Sequence, residues 1–322
     1  MLQNYTLVVL SLLPYIALIG LGGLLKYITS RKETTAPDWK TLDWACYWVL
    51  NPALLFKSAA MKPLTPSVVF ANGGWVWALM LTGLLFSSVL WSLKELPAVE
   101  AASRAQTAWR FNSVVGLAAT SLISPETLQV MAIFVGASVP FANMLAIVAL
   151  AMSSGKRKKG WISRCSLSVL LNPFFVASLG GLLFGLTFRG DPNVMSNVVV
   201  DLIFRFLTLL SEAAIPISLI AVGTAVIWAN LFRFNRISLY LHSLKFVILP
   251  VLVWGAAIIF HIPAVTAAVL IIFASLPTST SSHILGAAYG ARREPTALIV
   301  SQSTILACFA LPIWMTVALK LL

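Results

Sequence analysis

The sequence predicts an all-α polytopic membrane protein of ten transmembrane helices, built as two five-helix halves related by inversion. Three observations carry that reading. The 322 residues are 59% apolar and only 10% charged, with a mean hydropathy of +0.93, far more apolar than a soluble domain. Uncharged apolar runs recur along the chain, and each reaches the roughly 20 residues that a helix needs to cross about 30 Å of hydrocarbon. Two further apolar segments are interrupted by small polar residues at matching places in the two halves. They are Trp109-Arg110-Phe111-Asn112-Ser113-Val114-Val115-Gly116 and Ser275-Leu276-Pro277-Thr278-Ser279-Thr280-Ser281-Ser282-His283. Backbone freed at membrane depth is tolerated only against protein, water or a ligand, so paired interruptions point to a transport site.

The elements follow in order. Residues 7–25 form the first span; no basic stretch precedes it and no small-residue cleavage pattern closes it, so it reads as a retained helix rather than a signal peptide. Residues 42–60, 63–93, an interrupted 104–123 and 127–155 complete the first half. The second half has 165–188, then 197–204 running on into 213–228, and a long run from Phe246 to Ala291 that holds two crossings hinged at His261-Ile262-Pro263. It closes with 295–319. The domain boundaries expected are a first repeat over 1–152, a basic linker over 153–164 and a second repeat over 165–322.

Charge sets the expected topology. With ten spans and the amino terminus outside, 15 of the 22 basic residues fall on inner loops, among them Lys156, Arg157, Lys158 and Lys159; four fall outside, and Arg110, Arg205 and Lys245 lie within spans. That is the positive-inside pattern, with both termini outside. It accounts for the net charge of +12 without nucleic acid, for which no binding domain exists. Cys46, Cys165 and Cys308 sit in or at apolar segments without metal-ligand spacing and read as small core residues.

The halves keep nearly one register. Ser124-Pro125-Glu126-Thr127-Leu128 and Glu294-Pro295-Thr296-Ala297-Leu298 each open a span, with the prolines 170 residues apart; Pro140 and Pro312 within those spans are 172 apart. Asn51-Pro52 and Ile215-Pro216 are a looser pair. Five spans per half is odd, so the second half enters the membrane inverted, the plan of many secondary transporters.

Ionisable groups at membrane depth are functional candidates. Asp201, Arg205 and Glu212 share one stripe of the seventh span, and Asp201 and Arg205 are spaced to pair. Glu212 lies about 16 Å further along the helix; it is a candidate proton carrier, or else a carboxylate satisfied by Arg205 or a neighbouring span. Two readings of Arg110 stay open: a fixed cation whose fork suits a carboxylate, or a side chain that snorkels to the inner surface. Lys245 and His242, three apart, read as a snorkelling pair. His283 directly follows the hydroxyl run and is a second coupling candidate. Pro277 removes a backbone donor ahead of the Thr278–Ser282 hydroxyls, which then line a break rather than bond back onto their own helix. Asn112 and Asn51 are candidate ligands, or amides tying two helices together.

These residues resemble the auxin efflux carrier family. The signatures are Asn51-Pro52-Ala53-Leu54-Leu55-Phe56, Arg110-Phe111-Asn112-Ser113-Val114-Val115-Gly116-Leu117, Leu171-Asn172-Pro173-Phe174, the stretch Ala213 to Gly223, and Leu276-Pro277-Thr278-Ser279-Thr280-Ser281. The resemblance implies broken helices 4 and 9 that cross at mid-membrane. It implies a scaffold of helices 1, 2, 6 and 7, and a mobile transport domain of helices 3–5 and 8–10 moving as an elevator. The chain departs from the pattern at the fourth-span break, which has no proline, and at Ser281-Ser282-His283, where many bacterial relatives carry Asn. The long central loop of plant members is absent, which fits a compact bacterial carrier.

The expectation is therefore a secondary carrier, not an enzyme, in a bacterial inner membrane. Its cargo would be a small organic anion, a malonate-like or auxin-like carboxylate. The substrate residues expected are Asn51, Arg110, Asn112, Pro277, Thr278 and Ser281. Glu212 and His283 are the coupling candidates, and proton or sodium coupling replaces any cofactor or bound metal. A homodimer in the lipid bilayer is the expected assembly. The alternatives are a sodium-coupled symporter of the bile acid type and, from another class, an intramembrane receptor or enzyme. The crossing is rich in hydroxyls and lacks carboxylates, which favours proton coupling or none.

Overall fold

The computed structural model describes residues 2–30, 38–60, 66–154, 173–188, 197–228 and 231–322. The basic run Lys156–Lys159, Cys165, Leu171-Asn172 and most of the linker at 153–164 lie outside the described residues. Among the described residues every regular element is helical. Six stretches are long and apolar enough to cross a membrane: Val8–Ser30, Ala71–Ser92, Pro125–Ser154, Val198–Ala225, Arg236–Ile259 and Arg293–Ala318.

The first half begins with α1 (Leu2–Ser30). Next, α2 (Trp39–Ala45) continues through a π turn at Cys46–Leu50 into α3 (Asn51–Ala60). Helix α4 (Pro66–Ser87) tightens into a 3-10 turn, and α5 (Ala98–Trp109), α6 (Ser113–Ser121) and α7 (Pro125–Ser154) follow. The second half has α8 (Pro173–Thr187), α9 (Val198–Ala225) and α10 (Arg236–Ser243), the last running through a π turn at Leu244–Ile248 into α11 (Leu249–Ile259). It ends with α12 (Ala264–Ala274), α13 (Ser281–Ala288) and α14 (Arg293–Ala318).

Several boundaries differ from the sequence reading for local reasons. Helix α9 runs unbroken through 205–212, and in its first turns Arg205 Nε bonds Asp201 Oδ2 at 2.8 Å, both side chains on the exposed face. Helix α10 starts at Arg236, well before the uncharged run at Phe246. A capping box fixes that start: Asn235 Oδ1 accepts from Ser238 N at 2.8 Å, and Ser238 Oγ accepts from Asn235 N at 2.9 Å. The hinge after α11 is closed by His261 in the left-handed region, φ 51°, with Ile262 N bonded to Ala257 O. Pro250 has no N–H for the Phe246 carbonyl one turn back, and the Trp314 indole from α14 supplies the donor instead, at 2.7 Å.

The helices pack in two groups. Helix α3 lies against α8 and α9, and α9 lies along α1. Around them, α4, α5 and α7 pack with one another, and α12, α13 and α14 close the second cluster against α5 and α7. Helix α5 is buried all round from Glu100 to Trp109, and α12 from Thr266 to Ala274. Elements buried on every side stand at the centre. Large apolar side chains such as Phe206, Leu209, Ile259 and Phe309 are exposed on the periphery, the surface a bilayer covers.

Helices α1 and α9 meet backbone to backbone. A Cβ on Gly22 would strike the Ile220 carbonyl, and one on Gly223 would strike the Ile19 carbonyl. Without a hydrophobic drive between helices in lipid, such close approach through small residues supplies the packing. Gly223→Ala should therefore lower stability by about 1–3 kcal/mol. Gly20→Ala, where nothing lies within 4 Å, should leave it unchanged. Thermal unfolding of the two variants in detergent checks the difference.

Candidate functional site

Two helix interruptions meet at the centre of the molecule. Helix α5 stops at Trp109, and Arg110, with ψ 152°, turns the chain extended. Helix α6 starts at Ser113 because Asn112 caps it: its Oδ1 accepts from Val114 N at 3.1 Å and from Val115 N at 3.3 Å. The amide stands where a proline was missing. On the other side, α12 ends at Ala274 and α13 begins at Ser281, with Pro277 between them. The interruptions join directly, since Asn112 N donates to the Pro277 carbonyl at 2.7 Å. Thr278 N is held in turn by Ser303 Oγ of α14 at 3.1 Å. Beneath the junction Phe111 packs on Phe273, ring centroids 4.3 Å apart, and Gly116 admits Leu276 where a Cβ would collide with it.

A cavity of about 460 Å³ opens beside this junction. Its walls come from both helix groups: Asn51 and Ser218 from α3 and α9, and Arg110, Asn112, Asn143, Ser279 and Ser281 from the second cluster. Trp44, Tyr47, Phe111 and Phe174 add aromatic surface to the wall. Arg110 is 5% exposed, so it does not snorkel. Its Nη2 donates to Asn143 Oδ1 at 2.8 Å and to Ser281 Oγ at 2.6 Å. Its Nε and Nη1 are buried and have no hydrogen-bond partner among the described residues. The acidic side chain on the wall, Asp43, lies in the field of the Lys26 ammonium. A planar cation with two unused donor nitrogens at a cavity wall suits a carboxylate or another oxyanion.

The cavity thus gathers Asn51, Arg110, Asn112 and Ser281 of the expected residues. Asn51 also ties α3 to α9 through Nδ2 to Ser218 Oγ at 3.2 Å. Pro277 contributes its carbonyl to the junction and faces a second void, apolar and about 40 Å³, with Val115, Leu219 and Pro312. Thr278 is buried against α14 and does not line the main cavity. Glu212 is exposed on α9, away from the cavity, and its candidate partner Arg205 is bonded to Asp201. His283 is buried beside Arg293, with Nε2 3.4 Å from Nη2.

The reading of Lys245 and His242 as a snorkelling pair is overturned. Lys245 is 3% exposed and bonds backbone carbonyls of the first interruption, while His242 bonds Gln302 at 3.2 Å. Sequence reasoning missed Asn143, Ser218 and the aromatic wall, which join the site only through long-range packing. A mid-span amide was the available signal for Asn143.

Apolar spans packed around a polar cavity at a helix junction define a polytopic membrane protein. The sequence profile described as membrane transport protein matches residues 112–315, and the chain belongs to that family, the family of the auxin efflux carriers. The protein is therefore a membrane transporter. Comparison with curated proteins finds no match.

The cap predicts an ordered set of stabilities. Asn112→Ala should cost about 1 kcal/mol, whereas Asn112→Asp, which keeps an acceptor at the same place, should cost less. Thermal unfolding of the purified variants reads the order.

Proposed function

We propose that this protein is a secondary carrier of a small organic anion, with the carboxylate bound at Arg110. The observation that carries the reading is the buried guanidinium on the cavity wall with Nε and Nη1 unpartnered. An unpaired buried charge is costly, and a carboxylate oxygen that accepts from Nε or Nη1 relieves that cost. Asn112 and the partial positive charge of the α6 amino terminus add to the attraction. Asn143 and Ser281 hold the fork in place, and the aromatic wall accepts an apolar body on the same acid.

The cavity walls belong to two packing groups, which supports an elevator mechanism. Helices α1, α2–α3, α8 and α9 act as the scaffold. Helices α4–α7 and α10–α14 carry the junction and move as an elevator. In this reading α5–α6 and α12–α13 are the broken fourth and ninth of ten spans in a 5+5 inverted repeat, which provides two related open states. With Lys40, Arg233 and Arg236 counted on the cytoplasmic side, both termini lie outside. A bacterial inner membrane and proton-coupled or uncoupled transport complete the proposal.

The test is uptake into liposomes across labelled mono- and dicarboxylates, with and without pH and sodium gradients. Saturable uptake of at least one acid is expected, and no saturable uptake of any would contradict the proposal. Arg110→Gln should weaken that uptake about tenfold or more, and Arg110→Lys, which keeps the charge but not the fork, should recover only part of it.

A further inference from the structure

We propose that Lys245 is a tethered cation at the junction, doing for half-helix α5 what a bound metal cation does in carriers whose helix ends coordinate sodium. The proposal rests on the carrier reading for its transport consequences; the geometry stands without it. A helix end leaves carbonyls unpaired and carries partial negative charge. In a continuous helix the Ala108 carbonyl would bond Asn112 N, and the Arg110 carbonyl would bond Val114 N. Asn112 N is diverted to the Pro277 carbonyl, and Val114 N to the Asn112 side chain. Lys245 Nζ takes these two carbonyls, at 3.4 Å for Ala108 and 3.0 Å for Arg110.

The ammonium is buried and forms no ion pair among the described residues. Its counter-charge is the carbonyl end of the half-helix itself. In transporters with discontinuous helices such carbonyl ends are where coupling cations bind. Here a side chain from the π turn at Leu244–Ile248 fills that role, and π turns often mark functional positions. Lys245 and the junction share one packing group, so the cation travels with the site and need not be recruited from solution. Lys245 is a positioning residue: it holds the Arg110 backbone and thereby the guanidinium that meets the substrate.

The experiment compares wild type with Lys245→Arg, Lys245→Gln and Lys245→Ala in liposomes and in detergent, using choline, lithium and sodium chloride. Wild-type uptake should be equal in all three salts. Lys245→Arg should retain most of it, and Lys245→Gln, a neutral donor, should lose about tenfold or more. In detergent, lithium or sodium should raise the Tm of Lys245→Ala above its value in choline and leave wild type unmoved. Wild-type uptake that requires sodium, full uptake by Lys245→Gln, or no cation effect on the Tm of Lys245→Ala each overturns the proposal. If wild type moves no acid at all, the carrier reading fails and the Tm comparison still decides the role of Lys245.

Discussion

The backbone bond from Asn112 to the Pro277 carbonyl, at 2.7 Å, is the constraint on which the rest of the site depends. It joins residues from opposite halves of the chain, and it consumes a donor that α5 would otherwise use to continue. With that donor gone α5 stops, Asn112 caps α6, and the Ala108 and Arg110 carbonyls fall to Lys245. Arg110 then sits in extended backbone between two helix ends, where its side chain reaches Ser281 across the junction. A single diverted amide thus accounts for the interruption, for the buried lysine and for the direction of the guanidinium.

Polar groups at the centre are tolerated because most find partners. An unsatisfied backbone group in hydrocarbon costs several kcal/mol, so the freed carbonyls need a donor as strong as an ammonium. The seam between α5 and the second half is built the same way: Gln106 donates to the Ser282 carbonyl, Ser103 pairs with Thr296, and Glu100 receives both Arg104 and Arg292. Those bonds bind α5 to α13 and α14 as one body. Arg104 Nε, Gln106 Oε1 and Ser282 Oγ stay unpartnered within that seam, whereas the unpartnered Nε and Nη1 of Arg110 belong to a residue on the cavity wall.

The apolar runs, the family resemblance and the ninth-span interruption were legible in the sequence, because length, composition and a proline each act locally. The fourth-span interruption was legible as an amide among valines, although its cause, an N-cap whose own N–H bonds another segment, needs the partner 165 residues away. Arg110 had two open readings, since helical spacing cannot say whether a side chain near a span end turns inward. Lys245 was misread for the same reason: its three-residue spacing from His242 describes a stripe, and the packing that buries it comes from α5. Glu212 drew attention by its depth along α9, but the face it occupies was set by neighbours the sequence does not name.

The decisive measurement is a crystal structure with a transported carboxylate bound. A carboxylate oxygen is expected within hydrogen-bond distance of Arg110 Nε or Nη1, with the Asn112–Pro277 backbone bond intact beside it. A carboxylate bound elsewhere, or Arg110 paired wholly to protein with the acid in place, would contradict that expectation.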